Sequence, residues 1–150
     1  MLNLVKVPDK RLHMVSTPME ENLYETVYKN LFLEMLDFMY ENNGVGLAGV
    51  QVGILKNILV VDVSKKRNRP RFIANPKIIT AKGEVVIEEG CLSIPDKQVK
   101  VKRFSDILLE CIDGKIGKSG KFLFSGFEAI AIQHEMDHLV GKIITDYEGK

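Results

Sequence analysis

Two histidines four residues apart, with a glutamate directly after the first, constrain this chain more than any other feature: His134-Glu135-Met136-Asp137-His138. On an α-helix such positions share one face with β-carbons about 6 Å apart, so both rings can reach a single metal ion. Glu135 is turned off the ligand axis yet stays beside it, placed to take a proton from water without filling a coordination position. The helix has support of its own. Ser125 with Glu128 three residues on reads as a capping box, Ile130-Ala131-Ile132 supplies apolar surface, and Gly141 ends the element.

A catalytic site of this kind wants three protein ligands and one open position. The extended protease pattern, with a third histidine six residues after the second, is met as far as Gly141, but Ile144 stands where that histidine belongs. Beyond Gly141 only Asp146 and Glu148 remain as candidates, so the third ligand is expected upstream. Cys91, in Glu88-Glu89-Gly90-Cys91-Leu92-Ser93-Ile94-Pro95, sits at a strand end beside a glycine, where a side chain can project into a cleft. Cys111 lies in an alternating strand and reads as a small buried hydrophobe. His13, beside Arg11, reads as surface. Two rivals stay open at this point: a metallopeptidase using the same helix, and a structural zinc module closed by Cys91, Cys111, His134 and His138.

Size argues that the metal is chemical. A chain of 150 residues is expected to form one domain, residues 1–150. At that size folding hides roughly 70% of the unfolded surface, so no staple is needed to hold the core. With 45% hydrophobic and 27% charged residues and a net charge of +1, disorder is excluded and nothing calls for a polyanionic partner, membrane or nucleic acid. The basic run Lys65-Lys66-Arg67 with Arg69 and Arg71 reads as a solvated loop. Two cysteines and a start without a secretory pattern lead to an expected cytoplasmic location. The longest apolar runs, such as Ile58 to Val61, are far short of the ~20 residues that span a bilayer.

Leu23, Val27, Leu31, Met35 and Phe38, with Leu36 and Met39, predict an amphipathic helix over Leu23 to Tyr40 that ends at Asn42-Asn43-Gly44. Gly44-Val45-Gly46-Leu47-Ala48-Gly49-Val50-Gln51 follows as a small-residue loop that lines something. From Asn57 the period changes to short β-branched runs: 58–63, 71–74, 77–80, 84–87, 99–102 and 107–112. They are separated by Asn-Pro, Lys-Gly, Ile-Pro-Asp and Asp-Gly. Strands so closely spaced favour antiparallel pairing. The expected fold class is therefore α+β, with antiparallel β-sheets packed around a C-terminal metal-binding helix.

Three segments in this order, Gly44 to Gln51, Glu89-Gly90-Cys91-Leu92-Ser93 and Gln133-His134-Glu135-Met136-Asp137-His138, resemble the signature motifs of peptide deformylases. The likeness extends over nearly the whole chain, including Val7-Pro8-Asp9-Lys10-Arg11-Leu12. It implies removal of the formyl group from the N-terminal formylmethionine of newly made polypeptides. By this resemblance Cys91, His134 and His138 hold one divalent metal ion, Fe2+ in the cell and replaceable by Zn2+, Ni2+ or Co2+. It makes Glu135 the general base and acid, with the Gln51 side chain and the Leu92 backbone amide stabilising the oxyanion. It also implies a substrate pocket of Val45, Gly46, Ile87, Gly90, Phe127, Ile130 and Ala131, and a charge pair, Glu89 with Arg103, that braces the cysteine strand. Three departures stand out. Gly49 replaces an alanine, Gln98 replaces an arginine that helps some bacterial members bind substrate, and the chain stops at Tyr147-Glu148-Gly149-Lys150. The basic C-terminal helix that docks many members on the ribosome is therefore expected to be absent. Ribosome docking is not carried over, and at most a transient association is expected.

Overall fold

The Asn-Pro and Lys-Gly pairs that look like turns in the sequence do not end strands. In the computed structural model, which describes residues 2–149, helix α1 (Lys29–Glu41) precedes β1 (Gly46–Ala48), β2 (Ile58–Val61), β3 (Arg71–Cys91), β4 (Ile94–Asp113) and β5 (Lys118–Ser125). Helix α2 (Gly126–Leu139) follows, and a 3₁₀ turn (Ile144–Tyr147) comes last. The expected separate runs 71–74, 77–80 and 84–87 are one strand, β3, paired with β4 along nearly its whole length. The register slips between Ala74 and Lys77 and again between Ile78 and Thr80, with Asn75 at φ 49° and Gly83 at φ 77°. Asn75 lies in the first slip, a bulge, which absorbs an extra residue and bends the strand while pairing continues, whereas Gly83 passes between Lys82 and Glu84 with the register unbroken. Asn75 also bonds outward: its Oδ1 accepts from the Met19 amide at 2.7 Å.

The sheet is antiparallel throughout, as expected, but it is one continuous five-stranded sheet in the order β1-β2-β3-β4-β5. β2 shows why its sequence is uniformly apolar. Ile58 and Val60 pack with Phe32, Met35 and Met39 of α1, whereas Leu59 and Val61 join Ala129, Ala131 and Ile132 of α2. A strand covered by a helix on each face loses the alternation that marks a half-exposed one. A third cluster, Val5, Leu12, Ile94, Val99, Val101, Ile143 and Ile144, seals both ends of the chain against the tip of the β3–β4 hairpin.

The N-terminal helix differs from its expected phase. A 3₁₀ turn (Glu21–Leu23) and a π turn (Tyr24–Tyr28) precede α1, and the buried stripe is Tyr24, Tyr28, Phe32, Met35, Leu36 and Met39, leaving Val27 exposed. The wide π turn shifts the helical phase relative to a regular 3.6-residue reading. Both tyrosines suit burial because their hydroxyls donate, Tyr24 to the Gly114 carbonyl at 2.6 Å and Tyr28 to Glu20 at 2.5 Å.

Helix α2 starts at the expected Ser125 N-cap, but there is no capping box: the Ser125 side chain makes no cap bond, and Glu128 instead accepts from Arg71 at 2.9 Å. The helix ends before Gly141, which has φ 77° and lies so near the chain at His13 that a Cβ there would stand 2.6 Å from the His13 carbonyl oxygen. Only glycine meets both demands without strain. Among the described residues no helix is long and apolar enough to cross a membrane.

Candidate metal centre

Helix α2 carries His134 and His138 one turn apart, with ring centroids 5.2 Å apart and nearly edge to face. Cys91, the last residue of β3, brings its Sγ to 3.4 Å from His138 Nε2. One donor atom from each of Cys91, His134 and His138 lies within 4.8 Å of the others. Cys111 is elsewhere, buried in the core beneath α2, where burial first and Asp113 second push its thiol up to about 11. The closed four-ligand module is therefore not formed, and the solvent-exposed His13 takes no part.

The donor set fits a cation. A thiolate and two imidazoles suit soft-to-borderline divalent metals. Burial drives His138 down to about 3, so its imidazole is in the neutral form that ligates. For His134 burial also acts downward, but Glu135, Cys91 and Glu89 outweigh it and raise the ring well above its ordinary value: the anionic surroundings favour a positive charge between them. His134 Nδ1 lies 2.9 Å from Glu89 Oε1, which leaves Nε2 to face Cys91 and His138. Such a carboxylate behind a ligating histidine fixes ring orientation and tautomer.

Glu89 is itself held. Arg103 donates to both of its oxygens, at 2.8 and 2.7 Å, with both side chains buried. Burial alone would raise Glu89, but hydrogen bonds from Arg103 and His134 overcome that and hold it at about 2. The expected charge pair is thus present, and it is larger than expected. Arg103 Nη1 also donates to Asp137 Oδ2 at 2.6 Å, and the Tyr147 hydroxyl donates to the same oxygen at 2.7 Å. Asp137 and Tyr147 escaped sequence reading because their partners are 34 and 10 residues away. Gln133 escaped it as well: its amide bonds both the N–H and the carbonyl of Phe104, at 3.0 and 2.7 Å, and docks α2 on the stretch of β4 that β5 leaves unpaired.

Glu135 points into the same space. Its Oε2 is 3.9 Å from His134 Nε2, its Oε1 is buried without a partner, and burial raises it to about 7. Gly46 makes room for it, since a Cβ at Gly46 would collide with the carboxylate. Gln51 stands opposite, in the 3₁₀ turn Gly49–Val52 and almost wholly buried. Its Oε1 accepts from the Ala48 amide at 2.9 Å, and its Nε2 donates to Ser93 Oγ at 3.1 Å and lies 3.5 Å from Cys91 Sγ. Anchoring the oxygen in this way turns the amide nitrogen toward the donors. Ser93 is a further residue that sequence reading missed.

These groups open into a cleft of about 400 Å³. Val45 and Gly46, Ile87 and Gly90, and Phe127, Ile130 and Ala131 all line it, as do Gln51, Cys91, Leu92, His134 and Glu135. Asn43, Gly44 and Glu88 add to the expected wall. Gln98 does not line this cleft but borders a separate shallow hollow that shares Gly90 and Cys91 with it.

The chain is similar to known proteins over nearly its whole length. The polypeptide deformylase family model matches residues 1–149. A peptide deformylase from Ehrlichia chaffeensis is 34% identical and superposes with a TM-score of 0.92, covering 100% of this chain and 89% of its own. The enzyme from Thermotoga maritima is 33% identical with a TM-score of 0.87, covering 100% and 99%. One from Acinetobacter baumannii, solved with Met-Ala-Ser bound, is 28% identical with a TM-score of 0.88, covering 98% of each. A metal-competent cysteine and two histidines in this fold, and a family match over almost every residue, mean that the chain belongs to the polypeptide deformylase family of metal-dependent hydrolases.

Proposed function

We propose that Cys91, His134 and His138 hold one iron(II) ion, for which zinc, nickel or cobalt can substitute, and that the substrate is the formylated methionine at the start of a new polypeptide. An ion held by these three side chains would supply Lewis-acid chemistry, polarising the formyl carbonyl and lowering the pKa of water toward neutrality. Glu135 takes the proton of the attacking water and delivers it to the leaving amine, so that formyl peptide and water give formate and a free N-terminus. Its burial supports this role, because a carboxyl titrating near neutrality can both accept and give a proton. Negative charge developing on the formyl oxygen meets the Gln51 side-chain amide nitrogen and the Leu92 backbone amide. Donors fixed in place before reaction stabilise such charge without reorganising.

The methionine side chain enters between Ile87, Phe127, Ile130 and Ala131. The extended peptide runs along β1, whose far edge is unpaired in the sheet and can add a strand. The Met-Ala-Ser found on the Acinetobacter baumannii relative supports a ligand of this kind. Such substrates arise where translation begins with formylmethionine, so we place the reaction in a bacterial-type cytoplasm, with any ribosome contact transient.

The observation that carries this reading is the cluster of three donor atoms beside one cleft that Cys91, His134, Glu135 and Gln51 line. Its test is formate release from formyl-Met-Ala-Ser under anaerobic conditions, with metal content measured on the same sample. Formate with an otherwise intact peptide supports it; cleavage between residues would instead favour the metallopeptidase.

A further inference from the structure

The basic run expected to be a solvated loop is solvated at Lys65, Lys66 and Arg69, but Arg67 is half-buried and Arg71 is paired with Glu128. Arg67 Nη2 donates to the Gly44 carbonyl, Nη1 donates to the Asp62 carbonyl at 3.1 Å, and the guanidinium lies over the Tyr40 ring, 4.9 Å from its centroid. The backbone is built to present it. Arg67 has φ 55°, a left-handed conformation unfavourable for a residue with a Cβ. That turn is held by Asp62, fully buried, whose Oδ1 accepts from the Ser64 amide and hydroxyl at 2.9 and 2.6 Å. Asp62 Oδ2 accepts from the Tyr40 hydroxyl at 2.5 Å, and the Asp62 amide donates to the Val45 carbonyl at 2.9 Å. Two consecutive carbonyls of the cleft wall, Gly44 and Val45, are thus both gripped from behind.

On the cleft side the same wall packs against the Leu92 side chain and the Glu135 carboxylate. A Cβ at Gly44 would stand 2.8 Å from Leu92 Cδ1, and one at Gly46 would meet Glu135. Two glycines in three residues make this the segment with the most backbone freedom to lose, yet it has to hold a fixed edge for a peptide.

We propose that Arg67 is a positioning residue for substrate: by tethering the Gly44 carbonyl it keeps the Gly44–Gly46 wall in its binding-competent form. The inference rests on the reading that this wall receives the peptide. A wall that is competent only part of the time weakens apparent affinity by that fraction, whereas saturating substrate restores the competent form, so binding suffers more than the chemical step. Lysine cannot replace arginine fully, because one ammonium cannot span two carbonyls while stacking on a ring.

The test uses the metal-loaded protein, Arg67→Ala and Arg67→Lys, with steady-state kinetics on formyl-Met-Ala-Ser. Amide hydrogen exchange over residues 43–48 is followed with and without Met-Ala-Ser. The expected result for Arg67→Ala is a KM raised about tenfold, the scale of one charge-assisted hydrogen bond, with kcat within about twofold and unchanged metal content. Exchange over 43–48 should quicken in the free variant and slow again with peptide. Arg67→Lys should fall between the two, and it carries the test if Arg67→Ala does not fold. Unchanged KM and exchange in the variants, while peptide protects residues 43–48 of the parent, would overturn the role of Arg67 alone. If peptide gives the parent no protection there, the wall is not the peptide's edge and the proposal falls with that reading.

Discussion

Glu89 Oε1 lies 2.9 Å from His134 Nδ1 while both Glu89 oxygens accept from Arg103, so one buried carboxylate joins a metal-site ring to an arginine on the neighbouring strand. The ring's orientation is thereby set from β4 as well as from its own helix. Glu89→Gln keeps the shape but removes the charge behind the ring. Metal affinity should fall about 10- to 100-fold, as for other residues that orient ligands. Competition with a chelator measures it, and unchanged affinity would show that the Glu89 contact does not orient His134.

Gly46 lies against Glu135 closely enough that a side chain cannot be added without moving one of them. Gly46→Ala should leave metal content intact and lower kcat by about 10²-fold, since displacement of a proton-transfer group by about 1 Å is costly. Parental kcat would mean that Glu135 can shift without consequence.

Gln51→Leu removes an amide donor of similar size. Turnover should fall roughly 10²-fold or more at constant metal content, the scale of losing one oxyanion donor. Turnover within about threefold of the parent would remove Gln51 from the reaction.

Cys111 gives an alkaline signature independent of the metal site. Burial raises its thiol from 9.0 to about 11, so the folded chain keeps a proton that the unfolded chain releases. Its contribution to stability is complete below pH 9 and is lost as pH rises from 9 to 11. Across that window Cys111→Ala should lose stability less steeply than the parent, by at most about 1.4 kcal/mol per pH unit. Denaturant titrations between pH 8 and 11 test this; parallel curves would contradict it. Tyr28 and Tyr40, raised to about 12 by burial and by their carboxylate partners, act the same way at higher pH and in both proteins.

Legibility in the sequence followed the range of the interactions. His134, Glu135 and His138 were readable because helical geometry alone puts them together, and Cys91 because a strand end beside Gly90 lets a side chain project into a cleft. The resemblance of residues 89–93 to a known motif reinforced that placement. Asn75 and Gly83 misled because the same residue types serve a turn, a bulge at Asn75 or an unbroken strand at Gly83, and only pairing with β4 decides which. The capping box failed because Glu128 found a partner 57 residues away in Arg71. The phase of the first helix was lost to the π turn at Tyr24–Tyr28, whose burial depends on distant acceptors such as Gly114. Ser93, Asp137 and Arg67 acquire their roles only when separate strands and loops meet, and no local pattern announces them.

The account stands on the separation of metal holding from proton transfer on one helix turn. Its most direct measurement compares Glu135→Gln with His134→Ala for bound metal and for formate release from formyl-Met-Ala-Ser. Glu135→Gln should keep near-parental metal with turnover reduced by about 10² to 10⁴, the span of general acid–base catalysis, whereas His134→Ala should lose the metal itself. Loss of metal from Glu135→Gln to the same extent as from His134→Ala, or full turnover in Glu135→Gln, would contradict it.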